Sequence, residues 1–145
     1  MPRVARPLAV SLLLLMLPLA APACSTKGAL LSGDVYPRLM PRTEPSNIQL
    51  VRDGKRVRMT NTTARSFGTS RLWLNQWYAA RIDGLPVAES VTLTLGDFRD
   101  EFGDPFRGGG FFAAEAPEKL VKAELETDLD GERVLIPLIV VGDTD

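Results

Sequence analysis

Four carboxylates crowd one short segment: Asp97, Asp100, Glu101 and Asp104, interleaved with Phe98, Arg99, Phe102 and Gly103. Hard cations such as calcium take about six to eight oxygen ligands, often several from one loop, so these four are the metal-ligand candidates. Against that reading, the spacing matches no calcium loop. Arg99 and Arg107 stand close enough to pair with the acids, and Asp97 has a capping position open to it ahead of a single helical turn over 97–102, ended by Gly103. The expectation is therefore no metal and no cofactor, with calcium or another ligand on Asp97, Asp100, Glu101 and Asp104 as the alternative. Asp128-Leu129-Asp130-Gly131-Glu132 looks superficially similar but lacks the remaining ligands, and a hairpin turn accounts for it better.

Histidine is absent. That removes Ser-His-Asp and Cys-His catalysis, His-ligated zinc and the commonest general base at neutral pH. No Ser-x-x-Lys motif or well-placed acidic pair takes its place, so the chain is not expected to be an enzyme; one with an unrecognised site ranks last among the readings. The glycine run Arg107-Gly108-Gly109-Gly110 is no phosphate cradle, because it has neither a strand-to-helix setting nor a Gly-Lys-Ser/Thr ending. It does give a permissive loop. Such a loop either presents Phe111 or Phe112 to a partner or lipid surface, or lets one of them plug an end of the fold.

Trp73, Trp77 and Tyr78 form the densest aromatic cluster. On two strands around an Asn75-Gln76 loop, Trp73 lies opposite Tyr78 on one face and Leu74 opposite Trp77 on the other. One face has to be core. The other is either covered or exposed as a patch, since aromatic side chains concentrate in interface hot spots and also fill cores. Trp73, Trp77, Tyr78, Phe111 and Phe112 are thus the candidate partner-binding residues. Asn61-Thr62-Thr63 matches a glycosylation sequon and reads more simply as a strand end.

The chain's single cysteine, Cys24, follows a basic start (Arg3, Arg6), an apolar run over 8–19 and the small-residue stretch Ala21-Pro22-Ala23. The apolar run is shorter than the roughly 20 residues a spanning helix needs, and Pro18 breaks its last turn, so residues 1–23 read as a cleaved signal. Ala21-Pro22-Ala23-Cys24 resembles the lipobox of bacterial lipoproteins, with Ala21 where Leu is usual. That resemblance implies a lipidated Cys24, a membrane anchor and a place in the periplasm or at the cell surface. Ser25 after the cysteine implies no inner-membrane retention under the enterobacterial sorting rule. A secreted protein with one free thiol is the other reading.

Removing residues 1–23 takes away two arginines and no acid, leaving a net charge of about −3 and no electrostatic case for nucleic acid. With one cysteine there is no intrachain disulfide, so stability has to come from the core of one ordinary-sized domain. Residues 24–46, punctuated by Pro37, Pro41 and Pro45, read as an extended tether, unless Val35-Tyr36 or Leu39-Met40 packs on the domain as a loose first strand.

The domain proper is expected over 47–145, and its pattern is β. Residues 48–52 and 55–59 flank Asp53-Gly54, a favoured hairpin dipeptide, in a register that sets Leu50 opposite Val57 and Ile48 opposite Met59. Residues 121–127 and 132–141 flank Asp130-Gly131, with Leu125 opposite Ile136, Ala123 opposite Leu138 and Val121 opposite Val140. Pro137 cannot donate to a ladder, which marks the last strand as an edge or a bulge there. With 71–74, 77–82 and 90–95 added, about seven short strands and almost no helix argue for an all-β antiparallel β-sandwich, immunoglobulin-like or fibronectin-type-III-like in architecture. The expected role is a non-catalytic binding or structural module of the cell envelope, held to the membrane by lipid and meeting another envelope protein through a sheet edge or the aromatic regions.

Overall fold

A computed structural model describes residues 33–111 and 113–142. Cys24, the signal expected over 1–23, and Phe112 lie outside the described residues. Within them the chain forms seven strands: β1 (Gln49–Asp53), β2 (Arg56–Thr60), β3 (Ser70–Leu74), β4 (Tyr78–Ile82), β5 (Ser90–Thr94), β6 (Ala123–Leu129) and β7 (Glu132–Val141). They join in one sheet of order β4-β3-β6-β7-β1-β2-β5. Six short apolar-alternating strands and one long one fit the β expectation. The sheet is mixed, because β1 runs parallel to β7 while every other neighbouring pair is antiparallel. A wholly antiparallel arrangement is thereby corrected.

The sheet curls around its apolar face. Leu50, Val57 and Met59 from one half, Leu72, Leu74, Tyr78 and Ile82 from the other, and Leu125, Val134, Ile136 and Leu138 between them belong to one buried cluster, closed at its end by Leu95, Phe98 and Phe106. Phe106 meets Tyr78 edge-on with ring centroids 5.1 Å apart. Phe106 is buried there, and Phe111 stands exposed.

The three hairpins test turn chemistry separately. β6 and β7 pair as expected, Leu125 opposite Ile136 and Ala123 opposite Leu138. Asp130 and Gly131 both have positive φ, which the type I′ turn requires. Val121 falls before the strand begins and is exposed, so its expected pairing with Val140 does not form; Val140 is instead the partner of Leu50.

In β1–β2 the loop is Gly54-Lys55 and the register is shifted by two residues, with Leu50 opposite Met59 and Arg52 opposite Val57. A two-residue shift leaves every side chain on its expected face, so hydrophobic pattern alone does not distinguish the two. In β3–β4 the loop has three residues, and Trp73 faces Ala79 while Leu74 faces Tyr78. That one-residue difference moves Tyr78 to the core face and takes Trp77 out of the ladder into the turn.

Pro137 lies in an interior strand, not at an edge. Leu135 and Ile139 donate to the carbonyls of Pro41 and Ile48, on the side of β7 where the earlier chain runs. A nitrogen at 137 would point the same way by the two-residue alternation, and there the neighbour is between its contact at Pro41 and the start of β1. The missing donor thus costs no ladder bond, and the Pro137 carbonyl still accepts from Ser46.

Two buried polar residues tie the loops to the sheet. Arg52 donates to the carbonyls of Gly54, Glu118 and Gly108 and lies 5.9 Å from the Phe106 ring centre. Asn61, the sequon residue, sends its amide to the carbonyls of Arg65, Leu85 and Pro86 and accepts from Thr63. A 3-10 turn covers Leu95–Asp97, earlier than the expected turn, and Asp97 lies inside it without capping it.

Candidate functional site

The most densely bonded polar site lies on the outer face of β3, β6 and β7. In β6, Ala123, Leu125 and Thr127 point into the core, and the strand alternation puts Glu124 and Glu126 on the opposite face. There they are buried, at 1% and 4% exposure, because residues 34–43 pass over them. This is the stretch read as a tether. It is held by the Thr43 amide on the Leu135 carbonyl (3.0 Å) and by Leu135 on Pro41 (2.8 Å). Tyr36, Trp73, Ala79 and Leu135 form a second buried cluster with Met40 against it, and the Tyr36 and Trp73 rings meet edge-on at 5.2 Å.

The Tyr36 hydroxyl has one proton and two acceptor positions, and all are used. It donates to Glu124 Oε2 at 2.5 Å and accepts from Arg42 at 2.7 Å and from Gln76 at 2.9 Å. Glu124 also takes Arg42 Nε at 3.1 Å and the Gln76 amide at 3.2 Å. Gln76 reaches this point from the β3–β4 turn, where it has a φ of 58°, uncommon for a residue with a side chain. Two residues along β6, Glu126 accepts the Trp73 indole N–H at 2.7 Å and Arg133 at 2.6 Å, and pairs with Arg71 at 3.5 Å. Arg71 also holds Asp34 at 2.8 Å.

Burial by itself raises a carboxylate pKa. At Glu124 the hydrogen bonds from Tyr36, Arg42 and Gln76 and the charge of Lys122 outweigh it, and the group is held below its ordinary value. Tyr36 moves the other way, raised by its burial and by the Glu124 carboxylate. A low carboxylate pKa and a high phenol pKa keep both groups in one state across neutral pH. That suits a fixed clamp and is the wrong direction for a general acid.

The sequence-derived residues separate here. Trp73 is buried under the passing segment and Tyr78 is in the core, where burial together with the Glu118 carboxylate pushes its phenol up to about 12. Trp77 alone of that trio is partly exposed. Its ring lies 6.3 Å from that of Phe102, itself 71% exposed, and Val35 stands exposed nearby on a shallow depression shared with Trp77, Arg38 and Glu101.

The Trp77 indole N–H is held by Asp100 at 3.1 Å. Asp100 also accepts the amides of Phe102 (2.9 Å) and Asp104 (2.8 Å). Burial raises its pKa, and the bonds from Asp104, Trp77, Phe102 and Gly103 prevail and keep it low. Asp100 therefore organises the turn. Among the described residues no group of three acidic side chains converges as a metal site, so Asp97, Asp100, Glu101 and Asp104 are not brought together as ligands.

The alternative to a tether, that Val35-Tyr36 or Leu39-Met40 packs on the domain, holds for Tyr36 and Met40, while sequence reasoning missed Arg42, Gln76, Glu124 and Glu126. One signal was present: Glu124 and Glu126 share a strand face. Two acids on an outward face read as solvated until something is known to cover them.

Comparison with protein-family models, with curated proteins and with solved structures gives no match. Among the described residues no helix is long and apolar enough to cross a membrane.

Proposed function

We propose that this chain is an exported, non-catalytic module of the bacterial cell envelope, lipid-anchored at Cys24, that docks another envelope protein through the exposed Trp77–Phe102 pair. The observation that carries the reading is where that pair sits. Gly33, the first described residue, packs so tightly on the 100–101 backbone that an added Cβ would lie 1.6 Å from the Asp100 carbonyl oxygen. Asp100 in turn holds Trp77, so the anchor-side end of the domain and the aromatic pair are neighbours. Nine peptide steps separate Cys24 from Gly33, at most about 30 Å of chain. A lipid at Cys24 would keep the pair close to the membrane surface, within reach of other anchored or integral proteins.

The non-catalytic part of the reading is supported by the buried carboxylates. Glu124, Glu126 and Asp100 are all engaged in holding the fold together. The two halves of the curled sheet, β4-β3-β6-β7 and β1-β2-β5, we read as the two layers of a sandwich-like architecture joined through β7 and β1.

Membrane fractionation and in-cell crosslinking test the proposal together. Cys24→Ser should move the mature protein to the soluble fraction; unchanged fractionation would refute lipidation as the anchor. A Trp77→Ala, Phe102→Ala double variant should stay on membranes and lose its dominant crosslinked envelope partner. Retention of the same partner would refute the docking surface.

A further inference from the structure

On the same outer face, beside the buried glutamates, three arginines line one open depression of about 190 Å³ together with Thr69 and Ser70: Arg71 of β3, Arg81 of β4 and Arg133 of β7. Arg71 and Arg81 are directly paired residues in the ladder. Like charges directly opposite on neighbouring strands are destabilising, so the arrangement has to be offset by something. Two of the three guanidinium groups are already positioned. Glu126 takes Arg133 at 2.6 Å and Arg71 at 3.5 Å, and Asp34 fixes Arg71 from the other side at 2.8 Å. Arg81 is exposed and has no hydrogen bond or ion pair among the described residues.

Of the three, Arg81 alone has no carboxylate partner among the described residues; Asp128, opposite Arg133 in the ladder, accepts the Gly131 amide. The depression's volume of about 190 Å³ is room enough for a tetrahedral oxyanion. Guanidinium groups offer paired N–H donors whose spacing matches phosphate oxygens, and two of these three are oriented before any ligand arrives.

We propose that the Arg71–Arg81–Arg133 depression binds a phosphate ester or inorganic phosphate carrying a single negative charge, with Arg81 as the residue that decides binding. A phosphodiester matches the one unpartnered guanidinium, Arg81, and the open shape of the depression. The same chemistry is offered by a phospholipid headgroup and by free phosphate. This site stands apart from Trp77–Phe102 and does not depend on the docking proposal.

The test uses the full chain in neutral detergent micelles, melted with increasing sodium phosphate or short-chain phosphatidylglycerol against sodium chloride of equal ionic strength. Phosphate or the phospholipid should raise the midpoint above the chloride control, as any ligand selective for the native state does. Arg81→Gln should raise the midpoint without ligand, by relieving the Arg71–Arg81 repulsion, and should weaken the ligand response about tenfold or more. Arg58→Gln, on β2, should keep the full response.

A response to phospholipid at lower concentration than to phosphate identifies a headgroup as the source, and the reverse order identifies free phosphate; both uphold the site. No ligand-specific shift in the unaltered protein would overturn the proposal. So would an undiminished response in Arg81→Gln.

Discussion

The outer faces of the two halves of this sheet both carry arginines and acids and end in opposite states. On β1-β2-β5 the outward positions are Gln49, Val51, Asp53, Arg56, Arg58, Thr60, Ser90, Thr92 and Thr94, exposed or half-exposed. On β3-β6-β7 the outward positions include Arg71, Trp73, Glu124, Glu126, Arg133 and Leu135, and there Trp73, both glutamates and Leu135 are buried. Charge does not separate them, since each face has arginine and acid. The difference is the covering segment: Tyr36 and Arg42 bring a hydroxyl, a ring and a charge that satisfy Glu124, and buried charge is tolerable only when it is paired and hydrogen-bonded. A strand face is therefore not polar or apolar until its cover is known.

The comparison is broken most forcefully at Trp73. Trp73→Ala removes a buried ring that supports Tyr36 and leaves Glu126 short of a donor; a loss of about 3–5 kcal/mol is expected in denaturant melts. A loss under 1 kcal/mol would mean the covering segment contributes little.

Glu124→Ala, which strands the Tyr36 hydroxyl and Arg42, should cost about 2–3 kcal/mol at neutral pH. The same residue gives the acid limb its sign. Because the folded pKa of Glu124 lies below its unfolded value, its contribution is fully present above the ordinary carboxylate pKa of about 4 and is lost as pH falls through the lower folded value. Asp100 is depressed likewise and adds to the same limb. Glu124→Gln should accordingly flatten the decline in stability below about pH 4, and an unchanged acid limb would remove Glu124 from the account.

Smaller, and spectroscopic, is the expectation for the chain's two tyrosines. Both pKa values are raised, Tyr36 on the covered outer face and Tyr78 in the core, the latter to about 12. Tyrosinate absorbance in the native protein should lag behind that in denaturant, and neither residue should titrate at the ordinary value of about 10. One tyrosine ionising normally would show that the Tyr36 cover is open in solution. The least effect belongs to the bare face: Arg58→Ala should change stability by no more than about 0.5 kcal/mol. A larger loss would mean that face is covered too.

Some of the fold was legible because short-range chemistry decides it. Asp130-Gly131 supplies two positive φ angles, so the last hairpin closes in the only register that its turn and its apolar alternation both permit. Where the turn residues were ambiguous, prediction slipped: Asp53-Gly54 and Gly54-Lys55 leave the same faces inward, and Asn75 and Gln76 both adopt positive φ inside a loop one residue longer than expected. The resemblance of 21–24 to a lipobox is likewise a matter of local sequence, and the signal and lipid anchor it implies belong to the proposal.

What only the tertiary structure decided is long-range. Tyr36 lies 88 positions from Glu124, and the parallel β1–β7 pairing joins residues about as far apart. No periodicity within either segment encodes that meeting. Strand alternation determined that Glu124 and Glu126 face away from the core. The free energy of covering Trp73 and pairing two buried carboxylates, realised only when the first described segment returns across the sheet, decided that this outward face is closed while the face bearing Arg56 and Arg58 stays open.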